Sequence, residues 1–276
     1  MALRVNQNVQ STISQYHLKR NDDALTSSIH RLSTGLRVNR AGDDTAALNI
    51  SERMRNRVRG LDMAASNAQD ASNMLGTAEA ALNETHAIVA RMRELAVQAA
   101  SDTLTASDRT SIKQELDNLS VEVDRIGNKT EWNDHKLLDG GSYASLFTLQ
   151  VGARDGDIHT MSIRDMRAAA IKVATTDLTV SSASFASQAI VNIDNAIEAV
   201  SRERDYLGAK MNALAQNIAT LNVESQNQAF SENKLRDVDF AKEASKLTRA
   251  QLLQQSSTAM LAQANAQPQA VLGLLR

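Results

Sequence analysis

The residues that could carry out catalytic or metal chemistry are few and are poorly spaced for it. The five histidines lie at positions 17, 30, 86, 135 and 159, and no two of them have the HExxH spacing that aligns zinc ligands on a helix. The sequence has no cysteine, so a disulfide framework or a thiolate metal site is impossible. It also has no phosphate-binding glycine loop and no GxSxG turn. We therefore predict that the protein is not an enzyme and has no metal ion or cofactor.

Two pairs of aspartates are the remaining candidates for a general acid and a general base. They are Asp43-Asp44, which follows Gly42, and the pair Asp237 and Asp239. A carboxylate just before a helix accepts hydrogen bonds from the free amides of the first turn and interacts favourably with the helix dipole. We interpret both pairs as helix caps rather than catalytic dyads.

The composition favours long helices in a single chain of 276 residues. Hydrophobic residues make up 42% of the chain but aromatic residues only 3%, and Pro268 is its one proline. A chain without interior prolines has no obligatory helix breaker. The net charge of −2 gives no footprint for nucleic acid, and no run approaches the ~18 apolar residues of a membrane helix. The start lacks a secretory signal, so we expect a cytosolic protein or one exported by another route.

Apolar residues repeat in steps of four and three in three segments, which predicts an elongated antiparallel helical bundle or coiled coil. We expect helices at about 44–100, 106–127 and 183–229. The segment 128–182 has two runs with period two, near 146–151 and 158–163, which predict a small β-hairpin. The most regular seam, interrupted only at Arg204, consists of Ile190, Ile193, Ile197, Val200, Leu207, Met211, Leu214, Ile218 and Leu221.

The two ends of the chain have apolar stripes that are too thin to hold them folded alone. Ordering a residue costs about 1–2 kcal/mol, and these stripes bury little area. We therefore expect both ends to become ordered by packing against other copies of the chain. The residues predicted to act in this terminal assembly are Val5, Val9, Ile13, Leu25, Ile29, Leu32, Leu36, Leu261, Val271 and Leu272.

Several motifs, in order along the chain, resemble those of bacterial flagellins. The first are 31–39, followed by Ala41-Gly42-Asp43-Asp44, and the second is 91–100, RMRELAVQAA. The segment 133–140 ends in KLLDG, and the C-terminal end contains 259–265, Gln267-Pro268-Gln269 and Val271-Leu272. The resemblance covers nearly the whole chain, in a short form without large outer variable domains.

The resemblance implies a domain organisation and a set of partners. Residues 1–43 and 236–276 would form an inner coiled-coil domain, and 44–235 a rod domain with a hairpin at about 128–182 and no separate outer domain. The chain would polymerise into the helical flagellar filament for swimming motility, as a secreted, extracellular protein. Its partners would be the flagellar export apparatus, an export chaperone, the filament cap and the hook-junction proteins.

The resemblance also implies detection of the monomer by the Toll-like receptor that senses flagellin. Arg91, Leu95 and Gln98 match receptor-contacting positions, and Glu115 matches an acidic contact on the next helix. The alternative is that Arg91 and Glu115 form an ordinary surface ion pair and that Leu95 packs in the helix seam. Two other functions stay open, a hook–filament junction protein and a coiled-coil adhesin or secretion chaperone.

Overall fold

The computed structural model describes residues 8–141 and 146–274, with side chains as far as residue 267. Within these ranges the chain is mainly helical. The helices are α1 (Val9–Thr34), α2 (Thr45–Ala99), α3 (Ala106–Lys129), α4 (Ala183–Arg236) and α5 (Phe240–Leu274). The predicted fold class, a helical bundle with a small hairpin region, is confirmed. Helix α4 extends to Arg236, past the end near 229 that the seam pattern indicated.

The chain divides into two units, one of 1–56 with 227–276 and one of 57–226. In the second unit, α2, α3 and α4 surround a continuous core that is mostly leucine, alanine, valine and methionine. Leu75, Leu82, Leu116, Leu207 and Leu214 are among its fully buried side chains. This composition follows from the low aromatic content, because aliphatic side chains suit closely packed helix seams.

Ion pairs between α2 and α4 give the direction of this packing. Arg57 pairs with Glu224, Glu79 with Arg204 at 2.8 Å, and Arg93 with Asp194 at 2.6 Å. Partner numbers fall along α4 as they rise along α2, so the two helices are antiparallel.

Two small antiparallel hairpins follow α3. The first pairs β1 (Glu131–Trp132) with β2 (His135–Lys136) through a two-residue turn in which Asn133 and Asp134 both have positive φ. Such a turn matches the twist of paired strands. The second pairs β3 (Phe147–Gln150) with β4 (Ile158–Met161), which confirms the predicted hairpin. The first hairpin was not predicted, although its Asn-Asp pair was the available signal.

The long seam of α4 differs from the prediction on one side. Ile193, Val200, Leu207, Leu214 and Leu221 are buried, as expected. Between 189 and 203 the other buried positions are Ala189, Ala196 and Glu203, each one residue before a position of the predicted register, whereas Ile190, Ile197, Met211 and Ile218 are only partly buried. Small side chains let the helices approach closely at 189 and 196. Arg204 reaches out to Glu79, and Glu203 occupies the buried place.

Three of the four aspartates accept hydrogen bonds from backbone amides. Asp44 accepts a hydrogen bond from the amide of Ala47 at the start of α2, and Asp239 accepts one from Lys242 at the start of α5. Both are the caps that the sequence predicted. Asp43 instead accepts from the amides of Asn39 and Arg40 in the preceding turn. The prediction was wrong for Asp237, which forms an isolated β-bridge with Leu36.

Candidate self-assembly site

Helices α1 and α5 pack as an antiparallel pair whose less exposed positions repeat in steps of three and four. We call these positions the terminal seam. On α1 they are Ser11, Ser14, Leu18, Asn21, Leu25, Ser28 and Leu32, and on α5 they are Glu243, Leu247, Ala250, Gln254, Ser257, Leu261 and Ala264. Sustained spacing of this kind is the pattern of a coiled coil. Seven of the fourteen residues are polar, and no leucine of the seam is fully buried.

Hydrogen bonds across the pair involve six of the seven polar residues of the terminal seam. Asn21 Nδ2 donates to Ser257 Oγ at 2.8 Å, and Ser28 Oγ donates to Glu243 Oε1 at 2.9 Å. Three further bonds lie toward the edges of the pair: Asn8 Nδ2 to the carbonyl of Ala264 and Ser11 Oγ to Asn265 Oδ1, both at 2.8 Å, and Gln254 Nε2 to Asp22 Oδ1 at 3.0 Å.

Glu243 is the most deeply buried acid of this pair, with 4% of its side chain exposed. Burial works to raise its pKa, but hydrogen bonds from Lys246 and Ser28 and the positive charges of Lys246 and Arg31 outweigh it, so the pKa of Glu243 lies below its ordinary value. The carboxylate therefore stays ionised at neutral pH. It forms the charged end of the terminal seam.

Large apolar side chains are exposed on the pair outside the terminal seam, and we call the surface that they form the outer face. On α1 they are Val9, Ile13, Tyr16 and Ile29, and on α5 they are Phe240, Leu252, Leu253 and Met260. Val9 is 58% exposed and Met260 is 61% exposed. Val9 and Tyr16 lie two residues before the seam positions Ser11 and Leu18, which is about 200° around the helix, so these two side chains face away from the seam. Exposed apolar patches of this kind are typical of protein interfaces.

Most of the predicted terminal assembly residues lie on one of these two surfaces. Val9, Ile13 and Ile29 are exposed, whereas Leu25, Leu32 and Leu261 are partly buried in the seam. Leu36 is also partly buried, but it lies after α1, at its β-bridge with Asp237. Val5 lies outside the described residues, and so do the side chains of Val271 and Leu272. The sequence patterns did not identify Ser28, Asn21 and Glu243 as seam residues. The signal was their spacing, because Asn21 and Ser28 lie three residues after Leu18 and Leu25, and Glu243 lies four residues before Leu247. This spacing is visible only when polar residues are counted as seam positions.

The loops that enter α2 and α5 are held together by backbone hydrogen bonds. The amide of Arg37 donates to the carbonyl of Arg236 at 2.6 Å, and the amide of Val238 donates to Gly35 at 2.9 Å. Arg37 Nη2 adds a bond to the carbonyl of Leu235. Gly35 has φ +72, which suits a glycine ending α1. These contacts join the segment after α1 to the segment before α5.

The residues proposed for receptor contact lie on and under one surface of the second unit. Arg91 donates to Glu94 at 2.8 Å and to Glu115 at 3.1 Å, and all three side chains are about half exposed or more. Gln98 is also exposed. Leu95, however, is 2% exposed and belongs to the core. In the folded chain three of the four side chains are exposed, and the fourth, Leu95, is packed in the core beneath them.

The described residues contain no cluster of three or more histidine, aspartate or glutamate side chains placed to hold a metal ion. None of the described helices has an apolar stretch long enough to span a bilayer.

Comparison with known proteins identifies the family at both ends of the chain. Residues 5–142 match the bacterial flagellin N-terminal helical region, and residues 190–275 match the bacterial flagellin C-terminal helical region. Flagellin of Halalkalibacterium halodurans is 45% identical over 90% of this chain and 91% of that protein. Flagellin of Bacillus subtilis is 40% identical over 99% of this chain and 100% of its own length.

Solved structures agree with these matches. The crystal structure of Bacillus cereus flagellin has a TM-score of 0.51 and 32% identity, and covers 56% of this chain and 88% of that one. A putative flagellar hook-associated protein from Vibrio parahaemolyticus has a TM-score of 0.60 at 15% identity, and covers 71% of this chain and all of that one, which is a likeness of fold alone. Since both family regions match in order, the chain belongs to the bacterial flagellins, the structural, non-enzymatic subunits of the extracellular flagellar filament.

Proposed function

We propose that the pair of α1 and α5 is the site through which copies of the chain assemble for swimming motility. The observation that carries this proposal is the division of polarity in the pair, because half of the seam consists of serine, asparagine, glutamine and glutamate while large valine, isoleucine, leucine and methionine side chains stay exposed. A helix pair of this kind gains little apolar burial from its own contact, so it needs neighbours over the outer face to offset the cost of ordering.

Ordering of the ends is then coupled to association. Before docking, α1 and α5 are largely unfolded, and on docking they form the inner coiled-coil domain, while 44–235 is the rod domain. Contacts that repeat from copy to copy without closing into a ring produce a helical filament. The unfolded ends also suit export through the growing flagellum, with the export apparatus, a chaperone, the hook-junction proteins and the filament cap as partners.

A substitution on the outer face tests this proposal directly. Ile13→Ser removes an exposed apolar side chain from α1, and Val121→Ser is the matched control, because Val121 is equally apolar and exposed but lies on α3. We expect Ile13→Ser to abolish or strongly slow growth from filament seeds, and Val121→Ser to polymerise much more readily. An Ile13→Ser chain that grows at the wild-type rate would contradict the proposal.

Copy number and particle shape separate this function from the alternatives. A filament subunit makes up most of the mass of sheared filaments, whereas a hook–filament junction protein is a trace component. A coiled-coil adhesin or secretion chaperone forms a small oligomer and does not extend seeded fibres. Negative-stain microscopy of the salted-out protein distinguishes these outcomes.

A second proposed function is recognition of the monomer by the flagellin-sensing Toll-like receptor. It is supported by the exposed side chains of Arg91, Gln98 and Glu115 on adjacent helices of the second unit. A guanidinium and a carboxylate already joined by a hydrogen bond present a preorganised polar contact. Leu95 holds this surface from the core.

The matched test compares two arginines of the same helix. Arg91→Ala removes the proposed contact, whereas Arg93→Ala removes an exposed arginine that pairs with Asp194 on α4 instead. We expect Arg91→Ala monomers to lose receptor signalling by about tenfold or more, as for an interface hot spot, and Arg93→Ala to retain more of it. Equal signalling by wild type and Arg91→Ala would exclude this function.

A further inference from the structure

The polar residues of the terminal seam lie where a coiled coil normally gains its apolar burial. A polar side chain at such a position weakens the pair but restricts which alignment of the helices satisfies its hydrogen bonds. Asn21 with Ser257 and Ser28 with Glu243 are the two polar pairs between seam residues. Their effect on alignment can be judged from the apolar residues around them.

All bonds between α1 and α5 agree with one alignment of the two helices. The bonded pairs run from Asn8 with Ala264 near one end of the helix pair to Ser28 with Glu243 near the other. In each of them the two residue numbers add up to between 271 and 278. An alignment near the middle of this range places residue 25 level with 250, and residue 21 level with 254. The bonds are therefore those of a single register.

The leucines of the terminal seam do not select this register. Leu18 is level with Ser257, and sliding α5 by one heptad in either direction would bring it level with Ala250 or Ala264. Both alternatives are more apolar than the observed neighbour. Leu32, which is level with Glu243, would be level with Ala250 in one of the two slips. Leu25 is the exception, because a slip replaces its neighbour Ala250 by Glu243 or Ser257. By apolar packing alone, the slipped registers are as favourable as the native one.

The polar pairs oppose the same slip. Sliding by one heptad would place Asn21 level with Leu247 or Leu261, where its amide has no seam partner, and would separate Ser28 from the Glu243 carboxylate. Leaving a buried polar group without a partner is costly, whereas a satisfied pair is close to neutral. Only the observed register satisfies both pairs.

We propose that Asn21 with Ser257 and Ser28 with Glu243 determine the register in which α1 and α5 pair within each subunit. This proposal rests on the proposed function, in which neighbouring copies cover the outer face. Neighbours supply the apolar burial that holds the pair, and the polar pairs fix which turn of α1 meets which turn of α5. All copies in a filament then present the outer face with the same stagger.

Cysteine cross-linking in assembled filaments tests this proposal, because the natural chain has no cysteine. Two double-cysteine variants serve as reporters. The native reporter, Leu25→Cys/Ala250→Cys, has its two cysteines level in the observed register, and the slipped reporter, Leu18→Cys/Ala250→Cys, has them level only after a slip of one heptad. With the natural seam we expect the native reporter to form its disulfide at least about tenfold faster than the slipped one, given the specificity of buried polar pairs.

The test variant carries four substitutions, Asn21→Leu, Ser257→Leu, Ser28→Leu and Glu243→Leu. It is assembled as a minor component among wild-type chains, so that filament growth does not depend on it. We expect the ratio of the disulfide formation rates, native reporter over slipped reporter, to fall to about threefold or less in this variant. The control variant Ser27→Leu/Ser256→Leu adds leucines at exposed positions of the same helices and keeps the full preference.

The outcomes separate the two proposals. A four-leucine variant that keeps the tenfold preference would overturn register selection by the polar pairs. Equal cross-linking of both reporters with the natural seam would overturn it as well, without affecting the proposed function. A wild-type chain that forms no filaments would contradict the proposed function instead.

Discussion

Glu203 accepts a hydrogen bond from the backbone amide of Arg164, with the nitrogen 3.2 Å from Oε1. This contact attaches the segment that follows β4 to helix α4. The carboxyl group is buried while the Arg164 guanidinium, 3.8 Å from Oε2, is 75% exposed. Burial raises the pKa of Glu203, and the amide and charge of Arg164 offset only part of this effect.

The raised pKa predicts how Glu203 affects stability at different pH values. The folded state holds the proton more tightly than the unfolded state, so the contribution of Glu203 is most favourable below its ordinary pKa and is lost as pH rises through the folded value. We expect Glu203→Gln to be more stable than wild type at pH 7, by about 1–2 kcal/mol, with the difference shrinking at low pH. Urea unfolding at pH 4 and pH 7 measures this.

Glu198→Gln is the control for that experiment. Glu198 lies on the same helix but is exposed, and its ion-pair partner among the described residues is Arg202 in the next turn, so its replacement should hardly change stability at either pH. A Glu203→Gln protein that is less stable than wild type at pH 7 would contradict the account of the buried carboxylate.

Two glycine substitutions should have opposite effects on stability. Gly140, in the KLLDG motif, has φ +66, and a Cβ there would lie 2.7 Å from the Cβ of Asp165. Gly140→Ala should therefore lower the free energy of unfolding by about 1–3 kcal/mol. Gly76 lies inside α2 with open space around it, so Gly76→Ala should raise it by about 1 kcal/mol. Thermal unfolding of the two variants measures whether each substitution raises or lowers the free energy of unfolding. A stabilised Gly140→Ala would be incompatible with this structure.

Two leucine substitutions should separate folding from assembly. Leu82 is fully buried in the second unit, and Leu82→Ala should destabilise the free subunit by about 2–5 kcal/mol. Leu253 lies on the outer face, so Leu253→Ala should leave the unfolding of the free subunit within about 0.5 kcal/mol of wild type. It should nevertheless raise the concentration needed for polymerisation. Denaturant melts and sedimentation of polymer provide both values, and unimpaired polymerisation of Leu253→Ala would argue against the outer face as an interface.

The lowered pKa of Glu243 predicts a loss of filament stability in acid. The paired state favours the carboxylate, so this contribution is present above the ordinary pKa of a glutamate and is lost as pH falls through the lower value of the paired state. Glu243→Gln filaments should be weaker at neutral pH and less sensitive to acid than wild type. Asp23→Asn, at an exposed position of α1, is the control and should depolymerise with the wild-type pH profile. An unchanged acid sensitivity in Glu243→Gln would exclude Glu243 as its source.

The sequence predicted the helices of this fold better than it predicted the residues that pair them. Regular apolar spacing located α2, α3 and α4 and their buried leucines, because each helix must bury one stripe. It did not locate Glu203, since a charged residue at a seam position is indistinguishable from a break in the pattern until its hydrogen-bond partner is known. Leu95 could not be assigned to core or surface for a related reason, because a leucine among charged residues suits both.

The terminal pair was the hardest part to predict. The stripes of Val9 and Ile13 and of Leu25 and Leu32 were out of phase, because the first belongs to the outer face and the second to the seam. Sequence periodicity assumes that apolar residues face the chain's own core. That assumption fails for helices whose apolar side is reserved for other copies.

Hydrogen exchange of the wild-type chain, measured in the free subunit and in the filament, tests the central claim most directly. We predict that amides of α1 and α5 exchange rapidly in the free subunit and become strongly protected in the filament, while α2 and α4 within 57–226 are protected in both. Equally strong protection of α1 and α5 in the free subunit would contradict the claim that neighbouring copies order the ends of the chain.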